Sequence, residues 1–591
     1  MRSLAASGSS VQATGLPLLV ASMLVTLLVG AGLVALAEHF PAGRTAGRVM
    51  GALLLVLAGR DAVELVRSPW STKRTAVMPL ALAEREKVRR HDGGGIYLGD
   101  GFAWSPDVAR RYYLLGQVQE ASPWSLARSR PILLPHSAFS QHMITFGTTQ
   151  SGKTTLNELL SVQAIQDGDA VIVINPKEGG RWLDWAYRAS LESGRADRFH
   201  LVLLSYPDAC SSYSPLQDYS DATELADRVV IPLPESRDAA PYKAFCHKVM
   251  YVTAEAMIAC GIAPTFERLL KYSLENMGEL LQKLMVRRFP HTFRPEQLRT
   301  SEQLKGAIQD YRDRVSRGLI EEDRTVDRLA TLFSHPIDNF QRMVNSLVPY
   351  LVKLSTGAAG KVMNVERGDV RWHDVVEGRG VVYFDLAGMK GALSSEAVAR
   401  MIVSDLTSFV GTRYAYFSSR PRIHLFVDEF ANVLTKEFLD VLNKAAGSGL
   451  RVYAMAQSMA DPEAVLGSRA QAQRMLDNMR LKAQMQAADE TGAEGFSEIA
   501  GKTKVHEIEL SMNTRPAFFS SGHRAVADYE QSQSRKRAVR SEFLVPPELL
   551  QRMQRGQMFF KLGGELCFVQ VRPLEEPGID YLRDIKRVVR I

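Results

Sequence analysis

His142–Met143–Ile144–Thr145–Phe146–Gly147–Thr148–Thr149–Gln150–Ser151–Gly152–Lys153–Thr154–Thr155 reads as an apolar strand, a turn bounded by glycines and the start of a helix. The spacing from Gly147 to Gly152, Lys153 and Thr154 fits G-x-x-x-x-G-K-[ST], in which small residues let backbone N–H groups curl around a phosphate. At ordinary residue frequencies such a match is expected roughly 0.02 times in a chain of this length. The run Leu156–Gln166 is helical in pattern, so the turn lies at a helix N-terminus, where a nucleotide-binding loop must be. Gly147, Thr148, Thr149, Gln150, Ser151, Gly152, Lys153, Thr154 and Thr155 are thus expected to cradle the phosphates of ATP. The Lys153 ammonium would sit on the β- and γ-oxygens and the Thr154 hydroxyl on Mg²⁺.

A second signal lies far downstream. Ile423–His424–Leu425–Phe426–Val427–Asp428–Glu429–Phe430 is an apolar strand ending in two carboxylates. Alone it is a weak pattern. Coupled to a phosphate loop, it puts Asp428 in place to order Mg²⁺ through water and Glu429 to polarise an attacking water. Past a helix over 436–446, the strand Leu450–Ala456 ends at Gln457. A crossover of this length returns a parallel strand beside the first, which brings the Gln457 amide to the γ-phosphate as a sensor. The expected catalytic set is Lys153, Glu429 and Gln457, with Thr154 and Asp428 on the metal.

The chain of 591 residues is too long for one hydrophobic core, and its net charge of +7 is a mild basic bias, compatible with nucleic acid or anionic lipid. Cys210, Cys246, Cys260 and Cys567 have no metal-ligand or disulfide spacing, which suits a reducing cytosol. Leu16 to Ala37 is an uncharged run of 22 residues, long enough to cross the ~30 Å hydrocarbon core. It reads as a transmembrane helix, with a cleaved signal peptide as the alternative. A second apolar run, 49–66, would bury Arg60, Asp61 and Glu64 if it crossed, so one span or two remains open. Either arrangement leaves the nucleotide site in the cytoplasm.

The expected organisation is a membrane anchor over 1–70 and a linker with the first part of the ATPase domain over 71–135. The nucleotide-binding domain covers 136–241 and 355–575, an all-helical insert covers 242–354, and 576–591 is a short C-terminal segment. Strand signals at Ala170–Ile174, His200–Leu204 and Gly380–Leu386 alternate with helical ones, the pattern of a parallel α/β sheet. Lys177, in the turn Asn175–Pro176–Lys177, either faces nucleotide or DNA or is a solvated turn lysine. Tyr97–Trp104 reads as an edge strand, 501–543 as a mobile loop or nucleic-acid-facing segment, and 556–562 with 565–571 as a closing hairpin through Gly563–Gly564.

Together YLGDGFAW, GTTQSGKTT, VINPKEGG, LFVDEF and AMAQS followed by NMRLKAQMQAADETGAE resemble the conjugative type IV secretion coupling proteins of the TraG/TraD class, in particular the TraD-like branch of integrative conjugative elements. The resemblance implies a RecA-like and FtsK-like P-loop ATPase sheet with the inserted helical domain and the transmembrane anchor. It further implies a homo-hexamer on the bacterial inner membrane that uses ATP and Mg²⁺ to pass DNA, without base specificity, and its relaxase or relaxosome to the type IV secretion channel. Such rings use an arginine from the neighbouring subunit, for which Arg469, Arg474 and Arg480 are candidates. An FtsK-type chromosome translocase and a substrate-recruiting receptor that uses ATP as an assembly switch are the competing readings.

Overall fold

The computed structural model describes residues 95–588 apart from 117–121, 139–140, 177–179, 205, 234–237, 387–394, 417–420, 436–437, 441, 443–446 and 520–525. Both expected membrane spans, Lys177 and most of the helix expected over 436–446 lie outside the described residues. Among the described residues no helix is long and apolar enough to cross a membrane.

The chain divides into two units. In one, formed by Met1–Met78 and Leu114–Arg128, the described part comprises the last residues of the helix Pro106–Gly116 and a 3₁₀ turn over Pro123–Ser125. The other, Pro79–Tyr113 and Ser129–Ile591, contains everything described below.

Its strands in chain order are β1 (Ile96–Ala103), β2 (Arg130–Leu134), β3 (Met143–Phe146), β4 (Ala170–Asn175), β5 (Phe199–Leu203), β6 (Val381–Asp385), β7 (Ile423–Val427), β8 (Leu450–Ala456), β9 (Leu481–Gln484), β10 (Lys502–Phe519), β11 (Val526–Phe543), β12 (Gln557–Leu562) and β13 (Glu565–Gln570). Eleven form one mixed sheet in the order β2-β1-β13-β12-β9-β3-β8-β7-β4-β6-β5. From β9 to β5 all neighbours run parallel, and from β9 to β2 all run antiparallel. The fold is α/β with a large mixed sheet.

The parallel strands are apolar without alternation because both of their faces are covered. In β4, Val171 and Val173 point into one core with Leu156, Leu159 and Trp182, whereas Ala170, Ile172 and Ile174 point into the other. The first core is roofed by α1 (Lys153–Gln166) and α2 (Gly180–Glu192). The second merges with α3 (Ser395–Tyr416) and with the helices between β5 and β6. Those helices run from Ala222–Val230 to Trp372–Glu377, and among them a π-helical turn at Lys271–Glu275 separates Phe266–Leu270 from Met277–Arg288. Their charges largely neutralise one another, as in Arg288 Nε to Asp323 Oδ2 at 3.0 Å and Arg314 Nε to Asp310 Oδ1 at 2.9 Å.

Two expectations are corrected. Tyr97–Trp104 is not at an edge: β1 lies between β2 and β13, and β2 is the border strand. Its small residues serve that interior place, since a Cβ on Gly101 would come within 2.0 Å of Phe568 O. Nor do the described residues of 501–543 form a loop. β10 and β11 pair in register from Lys502↔Phe543 to Phe519↔Val526 as a two-stranded ribbon separate from the main sheet. The sequence of these strands lacks the strong apolar alternation by which half-buried strands are recognised.

Candidate nucleotide site

β3 is buried along its whole length and delivers the chain to the phosphate loop at the carboxyl ends of the parallel strands, where open α/β sheets bind ligands. Gln150 takes a left-handed conformation at φ 66°, and Gly152 follows at φ 110°. A non-glycine residue in that region costs of order 1–3 kcal/mol, an expense typical of binding loops held by their surroundings. Those surroundings are visible on both flanks. Thr148 N–H donates to Gln486 O at 2.9 Å and Met485 N–H to Phe146 O at 2.8 Å, while Gly556 N–H donates to Ser151 O at 2.7 Å. A Cβ on Gly152 would lie 3.0 Å from Gly556 N, so loop and buttress touch backbone to backbone.

A cleft of about 100 Å³ opens above this loop. It is lined by Thr149, Gln150, Gly152, Lys153, Thr154 and Thr155, by Asp428 and Glu429, by Met455, Ala456 and Gln457, and by Arg555. Four segments drawn from about 400 residues of chain thus meet in one place. Gly147, Thr148 and Ser151 do not line the cleft; within the loop the Ser151 hydroxyl donates to Thr148 O at 2.8 Å. The Lys153 ammonium folds back onto the loop carbonyls of Gly147 and Thr148, the latter at 2.8 Å.

β8 lies between β3 and β7, which explains how Gln457 reaches the same cleft as the loop and the carboxylates. Asp428, at the end of β7, is buried and anchored by its N–H to Ile174 O at 3.2 Å, and its Oδ1 accepts the Glu429 N–H at 3.1 Å. Glu429 is left-handed at φ 56°, the second strained residue of the cleft. Asn432 Nδ2 donates to Glu429 Oε2 at 3.4 Å. Gln457 is exposed, and its backbone is pinned by Asp461, whose Oδ2 accepts the Gln457 N–H at 2.9 Å.

Behind the loop, Glu158 of α1 is buried with Arg181 Nε 3.6 Å away. Burial pushes the Glu158 carboxyl up to about 7, and the nearby charges of Arg181 and Arg555 only partly oppose it. At the base of β3, His142 Nε2 donates to Leu442 O at 3.1 Å and Nδ1 accepts the Val452 N–H at 3.1 Å, which fixes a neutral ring with its proton on Nε2. Burial lowers its pKa to about 4.

Asn175 does not open into the cleft. It is buried, and its Nδ2 donates to the Tyr383 hydroxyl at 2.9 Å, joining β4 to β6. Arg469, Arg474 and Arg480 are exposed and line no part of the cleft in their own chain, and Arg474 pairs with Asp440 at 2.9 Å. Arg555 and Asp461 were missed by sequence reasoning. The signal for Asp461 was its place at the start of a helix just after Gln457, that for Arg555 an Arg-Gly pair entering the strand Gln557–Leu562.

Residues 422–555, which carry the carboxylates, Gln457 and Arg555, match the family described as the TraM recognition site of TraD and TraG. The matched segment is of the TraG/TraD type. No curated protein matches the chain. Among solved structures the chain is similar to the unbound bacterial conjugative coupling protein TrwBΔN70, at 15% identity and a TM-score of 0.48, covering 81% of this chain and 93% of that one. The plasmid coupling protein TrwB in complex with ADP and Mg²⁺ gives 14% identity, a TM-score of 0.49 and coverages of 75% and 88%. VirB4 of Thermoanaerobacter pseudethanolicus gives 14%, 0.41, 81% and 97%.

Proposed function

We propose that the chain is a membrane-anchored P-loop ATPase that drives DNA and its bound relaxase toward a type IV secretion channel, as a TraG/TraD-type conjugative coupling protein. One observation carries the ATPase reading: the loop 147–155, Asp428, Glu429 and Gln457 converge on one cleft, with β8 between the strand bearing the loop and the strand bearing the carboxylates. The strand order β9-β3-β8-β7-β4 supports a RecA-like sheet. The TraG/TraD-type segment over 422–555 supports the conjugative role and contact with relaxosome proteins.

In this reading nucleotide draws the Lys153 ammonium away from the carbonyls of Gly147 and Thr148 and onto phosphate oxygens. One hydroxyl and one carboxylate, Thr154 and Asp428, would hold a Mg²⁺ that keeps most of its water, and the ion would supply positive charge against the phosphates. Glu429 orients and polarises the water, its carboxylate held by Asn432. Gln457, fixed at its backbone by Asp461, reads whether the terminal phosphate is present. DNA is held through its phosphates without base readout, as a translocating motor requires. The protein assembles as a hexamer on the bacterial inner membrane with its ATPase domain in the cytoplasm.

The test is ATP hydrolysis by the purified full chain, with and without single- or double-stranded DNA, beside Lys153→Ala and Glu429→Gln. DNA-stimulated turnover lost in both variants is the expected result. Turnover indifferent to DNA would instead make the chain a receptor that uses ATP as an assembly switch.

A further inference from the structure

Arg555 is the one charged residue of the cleft that the phosphate-loop chemistry leaves without a task. It is exposed, it lines the cleft, and among the described residues its guanidinium makes no hydrogen bond or ion pair. Its backbone, by contrast, is closely held. The next residue, Gly556, is left-handed at φ 80°, donates to Ser151 O at 2.7 Å and accepts from Val571 N–H at 2.8 Å, and the Arg555 carbonyl accepts from Gln570 Nε2 at 3.3 Å. A Cβ on Gly556 would meet Gln570 Nε2 at 2.6 Å, so the turn that presents Arg555 is built around glycine. A free cation on a fixed stem beside a phosphate loop is a preorganised anion contact.

The sheet order says which part of the nucleotide it meets. β8 and β7, bearing Gln457, Asp428 and Glu429, lie on one side of β3, and β9 and β12, which Arg555 immediately precedes, lie on the other. The γ-phosphate belongs with the carboxylates and the amide, so the α-phosphate and nucleoside leave the loop on the opposite side. The Arg555 charge also acts on Glu158, one turn along α1 from Thr154 and Thr155. We propose that Arg555 binds the nucleoside-proximal end of the nucleotide, its guanidinium pairing with the α-phosphate. It therefore holds ATP and ADP alike and keeps product bound after hydrolysis, unlike a terminal-phosphate sensor.

This inference rests on the nucleotide reading of the cleft, and the experiment separates the two. Isothermal titration of the full chain with ADP and with a non-hydrolysable ATP analogue, both with Mg²⁺, is compared for the unaltered protein, Lys153→Ala, Arg555→Ala and Arg555→Lys. The expected result is that Arg555→Ala weakens both ligands by the same factor, roughly tenfold or more for loss of a charge-assisted bond, with partial recovery in Arg555→Lys. Because the side chain is exposed, the variants should keep the melting temperature of the parent. Loss confined to the ATP analogue would overturn the assignment in favour of the terminal phosphate, and unchanged affinity for both would remove Arg555 from the site. If the unaltered protein binds neither nucleotide, the cleft reading itself falls, and this inference with it.

Discussion

His142 offers a quantitative test of how β3 is held beneath the phosphate loop. Its ring is buried, donates from Nε2 to Leu442 O, and accepts the Val452 N–H at Nδ1, so a second ring proton would have to displace a backbone hydrogen bond from β8. Burial first, and then the charge of Arg451, lower its pKa from 6.5 to about 4, against the pull of the Leu442 carbonyl. The unfolded chain takes up this proton near pH 6.5 and the folded chain only near 4. The contribution to stability is therefore whole above 6.5, falls away between 6.5 and 4, and is gone below 4. At about 1.4 kcal/mol per pH unit the full loss is roughly 3 kcal/mol, of which roughly 2 is lost by pH 5. The perturbation is His142→Gln, whose amide can serve both partners without titrating. Denaturant midpoints of the ATPase-domain transition, measured for both proteins from pH 7.5 to 4.5 at fixed salt, give a difference curve. That curve cancels His424 and His200, whose pKa values burial also lowers. The parent should lose roughly 2 kcal/mol more than the variant between pH 7 and 5. Parallel curves would refute the reasoning.

Other perturbations have equally definite outcomes. Asp405→Ala removes the buried partner of Arg228, at 3.0 Å, together with the acceptor of the Tyr213 hydroxyl and the Trp372 indole N–H. Arg228 keeps Glu224 at 3.0 Å, but losing its buried carboxylate and leaving the Tyr213 and Trp372 donors unpaired should still cost about 3 kcal/mol in a denaturation midpoint, far more than an exposed change such as Arg474→Ala. Gly556→Ala forces a Cβ into a left-handed turn and against Gln570, so it should weaken ADP binding in titration as well as lower the melting temperature. Asp461→Ala frees the N–H groups of Gln457 and Ser458 and should lower kcat with little change in ADP affinity, read by steady-state kinetics beside titration.

Strands carrying near-continuous apolar runs were legible because burial on both faces demands that composition. Val171–Ile174 and Ile423–Val427 could hardly be anything else. The loop and the two carboxylates were legible because phosphate chemistry restricts the residue types and their spacing. What the pattern did not carry was lateral order. Nothing in Tyr97–Trp104 tells an edge strand from one flanked by β2 and β13, since pairing uses backbone groups that every residue has. Arg555 was hidden for a related reason. A surface arginine acquires its role from what the sheet sets beside it, and the contact between Gly556 and Ser151 spans 405 positions of chain.

That separation bears on how the protein is made. β3 leaves the ribosome early, but its parallel neighbours β8 and β9 begin at Leu450 and Leu481, and the Gly556 buttress follows later still. Until then the strand under the phosphate loop has no partner on either side, and its apolar faces are open to chaperones and to other nascent chains. Loop closure over such distances is slow relative to local helix formation, so the helices between β5 and β6 can settle before the site exists. The complete cleft is accordingly among the last features the polypeptide acquires, and an incomplete translation product lacks both the neighbours of β3 and the Gly556 buttress under the phosphate loop.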